Sequence, residues 1–314
     1  MFSVCDFSAI EPRVGAWVSQ CQSLLNGFQY TEDFDIYIDL ATRWTGIPYT
    51  QMVKDKNSKN AKIKAEAKGH RQVAKPGFLG SLYGLGGGGI KVNKKGDIVK
   101  TGLYGYAEAN GVKIEEERAH EIVKAFRTGY PDIPKCWYDL EALIKEVLEG
   151  VQTVRYIGPD NCIKIDKIYF EKQWILRIHL PSGRAIHYLN ARLENCLMPW
   201  KAINPDGEEE DVYKLNLVYD SVDQETKQWG RTTSRGAKIF ENIVQGIARD
   251  VLGAKMLELD KEGLTIDLHI HDEIGIESNL GRLKQMEEIM SSPIDWAPGL
   301  PLAAEGWTGN YYHK

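Results

Sequence analysis

The sequence predicts an α+β fold in which helices are gathered apart from a small antiparallel sheet, and three observations carry the prediction. Helical periodicity runs through long segments, most clearly Lys238 to Leu259, whose apolar stripe is Ile239, Ile243, Ile247 and Val251. Strict alternation is confined to short runs, Lys164 to Phe170 and Trp174 to Leu180, followed by a Pro181-Ser182-Gly183 turn. A last strand, Thr265 to Ile270, breaks at His271-Asp272-Glu273 and resumes as Ile274 to Glu277. No internal repeat and no low-complexity linker interrupts the chain.

The elements follow in order. Phe2 to Cys5 reads as a short strand running straight into Asp6, and Ile10 to Trp17 as a helix. Ile36 to Thr45 is helical and closed by Gly46 and Pro48. Lys54 to Gly69 is polar and alanine-bearing, an exposed helix or a mobile arm, and Gly84 to Gly89 ends the segment that follows it. Glu115 to Phe126 carries Ile122 and Phe126 on one face, and Trp137 to Leu148 repeats apolar residues at helical spacing up to Gly150.

The 314 residues suffice for two or three folding units. No apolar stretch reaches the roughly 18 residues a membrane helix needs, and Met1 to Glu11 has no basic region of a secretory signal. Five cysteines without a CxxC pair fit a reducing cytoplasm, with neither zinc nor a disulfide frame. The net charge is -5, yet residues 51–100 hold twelve Lys/Arg against three acids. That excess is either a polyanion-binding stripe or a solvated lysine-rich helix.

Three constellations carry chemistry. Asp6-Phe7-Ser8-Ala9-Ile10-Glu11-Pro12-Arg13 places a carboxylate at a strand end, where it could hold a hard cation with the Phe7 carbonyl or cap the next helix. Leu268 to Ile276 sets two acids and a histidine between apolar segments, as a cation site or as a tight turn. Arg71 and Lys75 lie four apart, so on a helix they stack on one face and could grip a polyphosphate. Phe78 and Leu82 are expected to continue that face, with Tyr83 at its margin.

Taken in this order, Asp6…Glu11, Arg71-x-x-x-Lys75…Tyr83-Gly84 and His271-Asp272-Glu273 resemble motifs A, B and C of family A DNA polymerases. Leu180-Pro-Ser-Gly-Arg184, residues 241–250 and the tail from Trp296 to Leu302 resemble the bacteriophage branch. The resemblance implies a right-hand palm with a small antiparallel sheet and mostly helical fingers. Residues 1–50 would be the first part of the palm, 51–195 the fingers with motif B and a β-rich insertion, and 196–314 the second part of the palm. It implies DNA synthesis from deoxynucleoside triphosphates on primer-template DNA, in the cytoplasm of a bacterial host.

The residue roles are those the resemblance implies. Asp6 and Asp272, with the Phe7 carbonyl, would hold two Mg²⁺ ions, or Mn²⁺ in their place, for in-line phosphoryl transfer. Lys75 would contact the triphosphate and protonate the leaving pyrophosphate, and Arg71 would bind the terminal phosphate. Glu11 would crowd the sugar 2′ position, Leu79 would stand beside the nucleotide, and Tyr83 would stack near the templating base. His271 and Glu273 would flank the catalytic carboxylate, Glu273 within the catalytic set and His271 toward DNA. Gln245 has a family counterpart on the long helix; Lys238, Asn242 and Arg249 share its polar stripe and, with Arg13, are expected on DNA.

The sequence also departs from the family. Ala9 replaces the usual glutamine, Leu79 a phenylalanine or tyrosine, and Pro76 is expected to kink the helix at Lys75. Five residues precede Asp6, so thumb and exonuclease are expected to lie outside this sequence, which is then either a fragment of a longer protein or the product of a split gene. A separate polymerase chain carrying the thumb, and an exonuclease with it, is expected as partner, docked along an open edge of the Asp6 strand. The rival readings are a single-subunit RNA polymerase, opposed by Glu11, and a non-catalytic DNA-binding remnant, opposed by retention of all five polar motif residues.

Overall fold

The computed structural model describes every residue except 32, 93–95, 152, 205, 224–225 and 313–314, and only the backbone of residues 199 and 200. The chain divides into two compact units, one of Met1–Lys135 with Ala248–Lys314, the other Cys136–Ile247. The expected three-part division is drawn differently: the helix bearing Arg71 and Lys75 shares a unit with the strand bearing Asp6, and the β-rich segment stands as a unit of its own.

The first unit is built on a four-stranded antiparallel sheet. Its strands are β1 (Phe2–Phe7), β10 (Leu268–Ile270), β11 (Glu273–Glu277) and β12 (Ala304–Gly309), in the order β10-β11-β1-β12. β1 reads apolar enough to be buried on both sides, and it is, with Val4, Cys5 and Phe7 at 2% exposure or less. It pairs with β11 from Phe2↔Glu277 to Asp6↔Glu273 and with β12 from Phe2↔Gly309 to Phe7↔Ala304. The expectation of an open edge along β1 is therefore overturned. Residues 304–309, which carry no strong strand signal, occupy that edge, and the free edges belong to β10 and β12.

Around this sheet lie α1 (Ile10–Ser19), α2 (Gln22–Tyr30), α3 (Ile36–Thr45), α4 (Tyr49–Lys56), α5 (Ala61–Leu82), α6 (Gly102–Ala109) and α7 (Glu116–Gly129). The helix α10 (Leu283–Ser291) packs on β1 and β12. A two-stranded hairpin, β2 (Ile90–Val92) and β3 (Ile98–Lys100), follows the glycine-rich loop. α5 begins where Asn60 accepts from the Lys62 and Ile63 backbone N–H groups, and it runs unbroken through Pro76. The proline removes the N–H that would meet the Gln72 carbonyl, yet the buried surroundings of Pro76, Gly77 and Phe78 hold the helix together. Gly77 is required there: a Cβ would stand 2.8 Å from Ile122 Cγ2 of α7.

Phe78 and Leu82 do not continue the basic face. Both are fully buried, and Phe78 packs against Phe126 (5.1 Å), Tyr130 (5.5 Å) and Tyr37 (6.4 Å). A helix has two sides, and the apolar one was bound for the core. The loop after α5 is likewise packed: the Gly86 and Gly87 carbonyls accept the Leu103 and Tyr104 N–H groups that open α6.

The second unit is a six-stranded antiparallel meander in sequential order: β4 (Arg155–Ile157), β5 (Ile163–Phe170), β6 (Gln173–His179), β7 (Ala185–Ile203), β8 (Glu209–Val222) and β9 (Trp229–Ser234). Most of α8 (Asp132–Glu149) and the first half of α9 (Gly236–Lys261) belong to it. β7 and β8 form a long ribbon whose register shifts between Leu189 and Arg192 and again between Leu197 and Lys201. Among the described residues no helix is long and apolar enough to cross a membrane.

Candidate active site

The carboxylates expected to work together are brought together. Asp6 is the fifth residue of β1, in register with Glu273 of β11 on one side and Glu305 of β12 on the other. The turn at His271 and Asp272 closes the β10–β11 hairpin, with His271 in the left-handed region (φ 56°). It is pinned to β1 by the Phe7 N–H, which donates to the Asp272 carbonyl at 3.4 Å. Ala9, on the other side of the pair, is also left-handed (φ 53°), so the chain turns sharply on leaving β1.

Acids crowd this sheet end. Partial burial and then the negative charges of Asp272, Glu305 and Glu273 push the Asp6 carboxyl above its ordinary pKa. Cys5, next to it on the buried face, is pushed up to about 12 by burial and then by Glu287, Asp6 and Glu305. Glu273 is buried and accepts from the Tyr312 hydroxyl at 2.8 Å. Among the described residues no three His, Cys, Asp or Glu side chains form a group that would by itself hold a metal.

On α5 and at its C-cap, Arg71, Lys75, Leu79 and Tyr83 are exposed or half-buried and spaced by four along one face. Lys75 is exposed and makes no ion pair among the described residues. Arg71 is held from behind. Its Nε donates to Asp35 Oδ2 at 2.6 Å, Lys56 reaches the same oxygen at 3.1 Å, and its guanidinium lies 5.3 Å from the centroid of the Tyr37 ring. Asp35 uses its other oxygen to cap α3, accepting from the Tyr37 and Ile38 N–H groups. Burial works to raise the Asp35 pKa, but Arg71 and then Lys56 outweigh it and hold it below the ordinary value.

The Tyr37 phenol is pushed up to about 12, by burial first; Arg71 opposes the shift, and the nearby negative charges of Glu11 and Asp35 add to it. Glu11, Tyr37, Asp35 and Arg71 thus form one electrostatic neighbourhood. Sequence reasoning missed Asp35 and Tyr37. The available signal was an N-cap type of residue directly before the apolar run of α3.

Other positions fall differently from expectation. Arg13 is nine-tenths buried, donates to the Ser8 (2.7 Å) and Pro301 (3.3 Å) carbonyls, and stacks 4.4 Å over Phe28. Burial lowers its pKa to about 10. Two of its donors are used inside the protein, where it braces the turn after β1. On α9, Lys238 pairs with Glu241 at 2.8 Å, and the Asn242 amide donates to Tyr188 Oη at 2.9 Å within the second unit. Gln245 and Arg249 are exposed.

Comparison with known proteins finds the chain similar over its whole length to a phage DNA polymerase. The relative is the DNA polymerase of Bacillus phage SP02, 31% identical over a 315-residue alignment that covers 100% of this chain and 41% of that protein. The chain thus spans about two fifths of the length of the curated relative it matches. The resemblance read from the three motifs holds. Among solved structures, the POL domain of Pol1 from M. smegmatis, in complex with a DNA primer-template and dNTP, is 16% identical, with a TM-score of 0.48, over 97% of this chain and 39% of that one. No family model matches.

Proposed function

We propose that this chain is the palm-and-fingers part of a family A, phage-type DNA polymerase that transfers a deoxynucleotide from dNTP to a primer 3′-hydroxyl. The observation that carries the reading is the meeting of Asp6 and Asp272 at adjoining strand ends, in a cluster of acids that raises the Asp6 pKa. Divalent magnesium, with manganese as substitute, suits that cluster. When bound it lowers the pKa of the attacking hydroxyl and offsets charge on the departing pyrophosphate. Asp6 and Asp272 would hold it, and the Phe7 carbonyl is the third donor we assign.

The chain's own side chains do the rest. Arg71 offers the guanidinium edge turned away from Asp35 to the terminal phosphate, a fork suited to bidentate contact. Lys75, exposed one turn on, meets the triphosphate and supplies the proton the pyrophosphate takes up. Glu11 stands where a ribose 2′-hydroxyl would enter, Leu79 beside the nucleotide, and Tyr83 closes the face next to the templating base. Gln245 and Arg249 are assigned to the primer-template duplex, with His271 beside the catalytic turn.

We place a thumb, with an exonuclease, in a separate chain that works with this one in the host cytoplasm. Such a chain would meet β10 or β12, since β1 is already paired on both sides. The test is primer extension by the assembled enzyme. Asp6→Asn and Asp272→Asn should each abolish magnesium-dependent extension while primer-template affinity stays within about threefold, roughly 0.6 kcal/mol. Extension above background by either variant would remove the two-carboxylate assignment.

A further inference from the structure

We propose that Tyr312 is a positioning residue for the carboxylate cluster, a strap between the two neighbours of β1 that fixes Glu273 beside Asp6. Tyr312 follows β12, yet its hydroxyl donates to Glu273 Oε1 of β11 at 2.8 Å. In the order β10-β11-β1-β12, β11 and β12 lie on opposite sides of β1. One side chain therefore links the strands that flank Asp6.

Register puts this strap on the acidic side of the sheet. Asp6 stands opposite Glu273 on β11 and Glu305 on β12, and Val4, two residues earlier, stands opposite Trp307. Directly opposed residues share a face, as do alternate residues of one strand. Trp307, Glu305, Asp6 and Glu273 thus belong to one side. The Tyr312 ring lies against Trp307, 6.2 Å between centroids at 45°. Its ring is packed on β12 while its hydroxyl is bonded to β11.

Glu273 depends on that hydroxyl. It is 6% exposed, and a buried carboxylate is costly without a hydrogen bond. Among the described residues the phenol is its one side-chain donor. Like charges directly opposite each other across a strand pair repel, and Glu273 faces Asp6 in that way. With one oxygen committed to the phenol, the carboxylate keeps a single orientation next to Asp6, directly after the turn that carries Asp272. Released, it would be free to turn toward Asp6 and disorder the pair assigned to the divalent ion. The inference rests on that assignment. Ring packing on Trp307 alone would suffice to anchor the segment after β12, so the hydroxyl is what distinguishes a positioning residue from an anchor.

The first measurement is Mn²⁺ binding to the whole chain, read from the free-ion signal in electron paramagnetic resonance, with no DNA, dNTP or partner added. Tyr312→Phe keeps the ring on Trp307 and removes only the donor; it should raise the Mn²⁺ Kd about fivefold. In a Glu273→Ala background the same change should move Kd less than about twofold, because a residue acting through another is silent once that other is gone. Glu273→Met, of similar volume and uncharged, serves as the background should the alanine variant unfold. Asp6→Asn separates the two levels of the argument. Binding unchanged by Asp6→Asn would remove the metal assignment itself. Binding lost in Asp6→Asn but of wild-type strength or tighter in Tyr312→Phe would overturn the role of Tyr312 alone. In primer extension by the assembled enzyme, Tyr312→Phe should lower kcat about tenfold and leave KM for dNTP within about twofold. An equal effect of Tyr312→Phe with and without the Glu273 carboxylate, in either measurement, would make Tyr312 an anchor and overturn the proposal.

Discussion

Replacing Asp35 by asparagine separates two roles that one side chain fills. Asparagine caps a helix about as well as aspartate, so the hydrogen bonds to the Tyr37 and Ile38 N–H groups survive. What is lost is the negative charge that accepts from Arg71 at 2.6 Å and Lys56 at 3.1 Å. The carboxylate is 9% exposed while its partners are 40% and 28% exposed, so the pair is neither a surface bridge nor a sealed one. Surface pairs are worth roughly 0–1 kcal/mol and charge-assisted hydrogen bonds about 1.5–3; the partial screening here puts the loss at about 1–2 kcal/mol. At about 2–4 °C per kcal/mol for a unit of this size, Tm should fall by about 2–8 °C at neutral pH.

Acid gives the decisive control. The folded Asp35 pKa is lowered, so its contribution is complete above the unfolded value of about 3.9 and drains away as pH falls through the folded value. The gap between wild type and Asp35→Asn, measured by urea unfolding, should therefore be constant from about pH 7 to 5 and close below about pH 4. In the assembled enzyme the same variant should raise KM for dNTP more than it lowers kcat, because Arg71 loses its orientation while Asp6 and Asp272 are untouched. A gap that persists unchanged into acid, or no destabilisation at pH 7, would refute the reasoning.

Three further outcomes are expected. Glu11→Ala should raise ribonucleotide incorporation relative to deoxyribonucleotide, by removing the bulk opposite the 2′ position; single-nucleotide kinetics give the ratio. Phe78→Ala should cost about 3–5 kcal/mol in chemical denaturation, since the ring is fully buried and meets three other aromatic rings. Ala9→Gly should stabilise the fold by about 0.5 kcal/mol, because φ 53° costs an alanine roughly 1–2 kcal/mol and glycine gives back part of that as lost chain entropy.

Much of this was legible in the sequence, and the reasons are physical. Helices with a single apolar stripe announced themselves: α3 matches Ile36 to Thr45, and α9 exceeds the expected Lys238 to Leu259 by two residues at each end. The break at His271-Asp272 was readable because charges interrupt an otherwise apolar strand. Strands whose partners lie far away in sequence were not. Residues 304–309 pair with β1 across almost the full chain, and nothing local in Ala-Glu-Gly-Trp-Thr-Gly marks them as the neighbour of Asp6. Arg13 was read as a free cation because its burial depends on the Ser8 and Pro301 carbonyls and on Phe28, which no short-range pattern relates. Pro76 was expected to kink α5 at Lys75; the helix runs unbroken because the core contacts of Gly77 and Phe78 overrode local propensity, as tertiary packing commonly does.

The strand order β10-β11-β1-β12 has a consequence for how the site comes into being. The basic face of α5 depends on neighbours nearby in the chain, α3 and α4, and such local contacts form early and at small entropic cost. The two aspartates meet only after β1 has found β11, a closure over more than 260 residues. On the proposed reading, a molecule halfway along its folding route, or one frayed at β12, would keep the helix assigned to the phosphates while lacking the paired carboxylates, and turnover would then be a stricter gauge of native structure than nucleotide affinity.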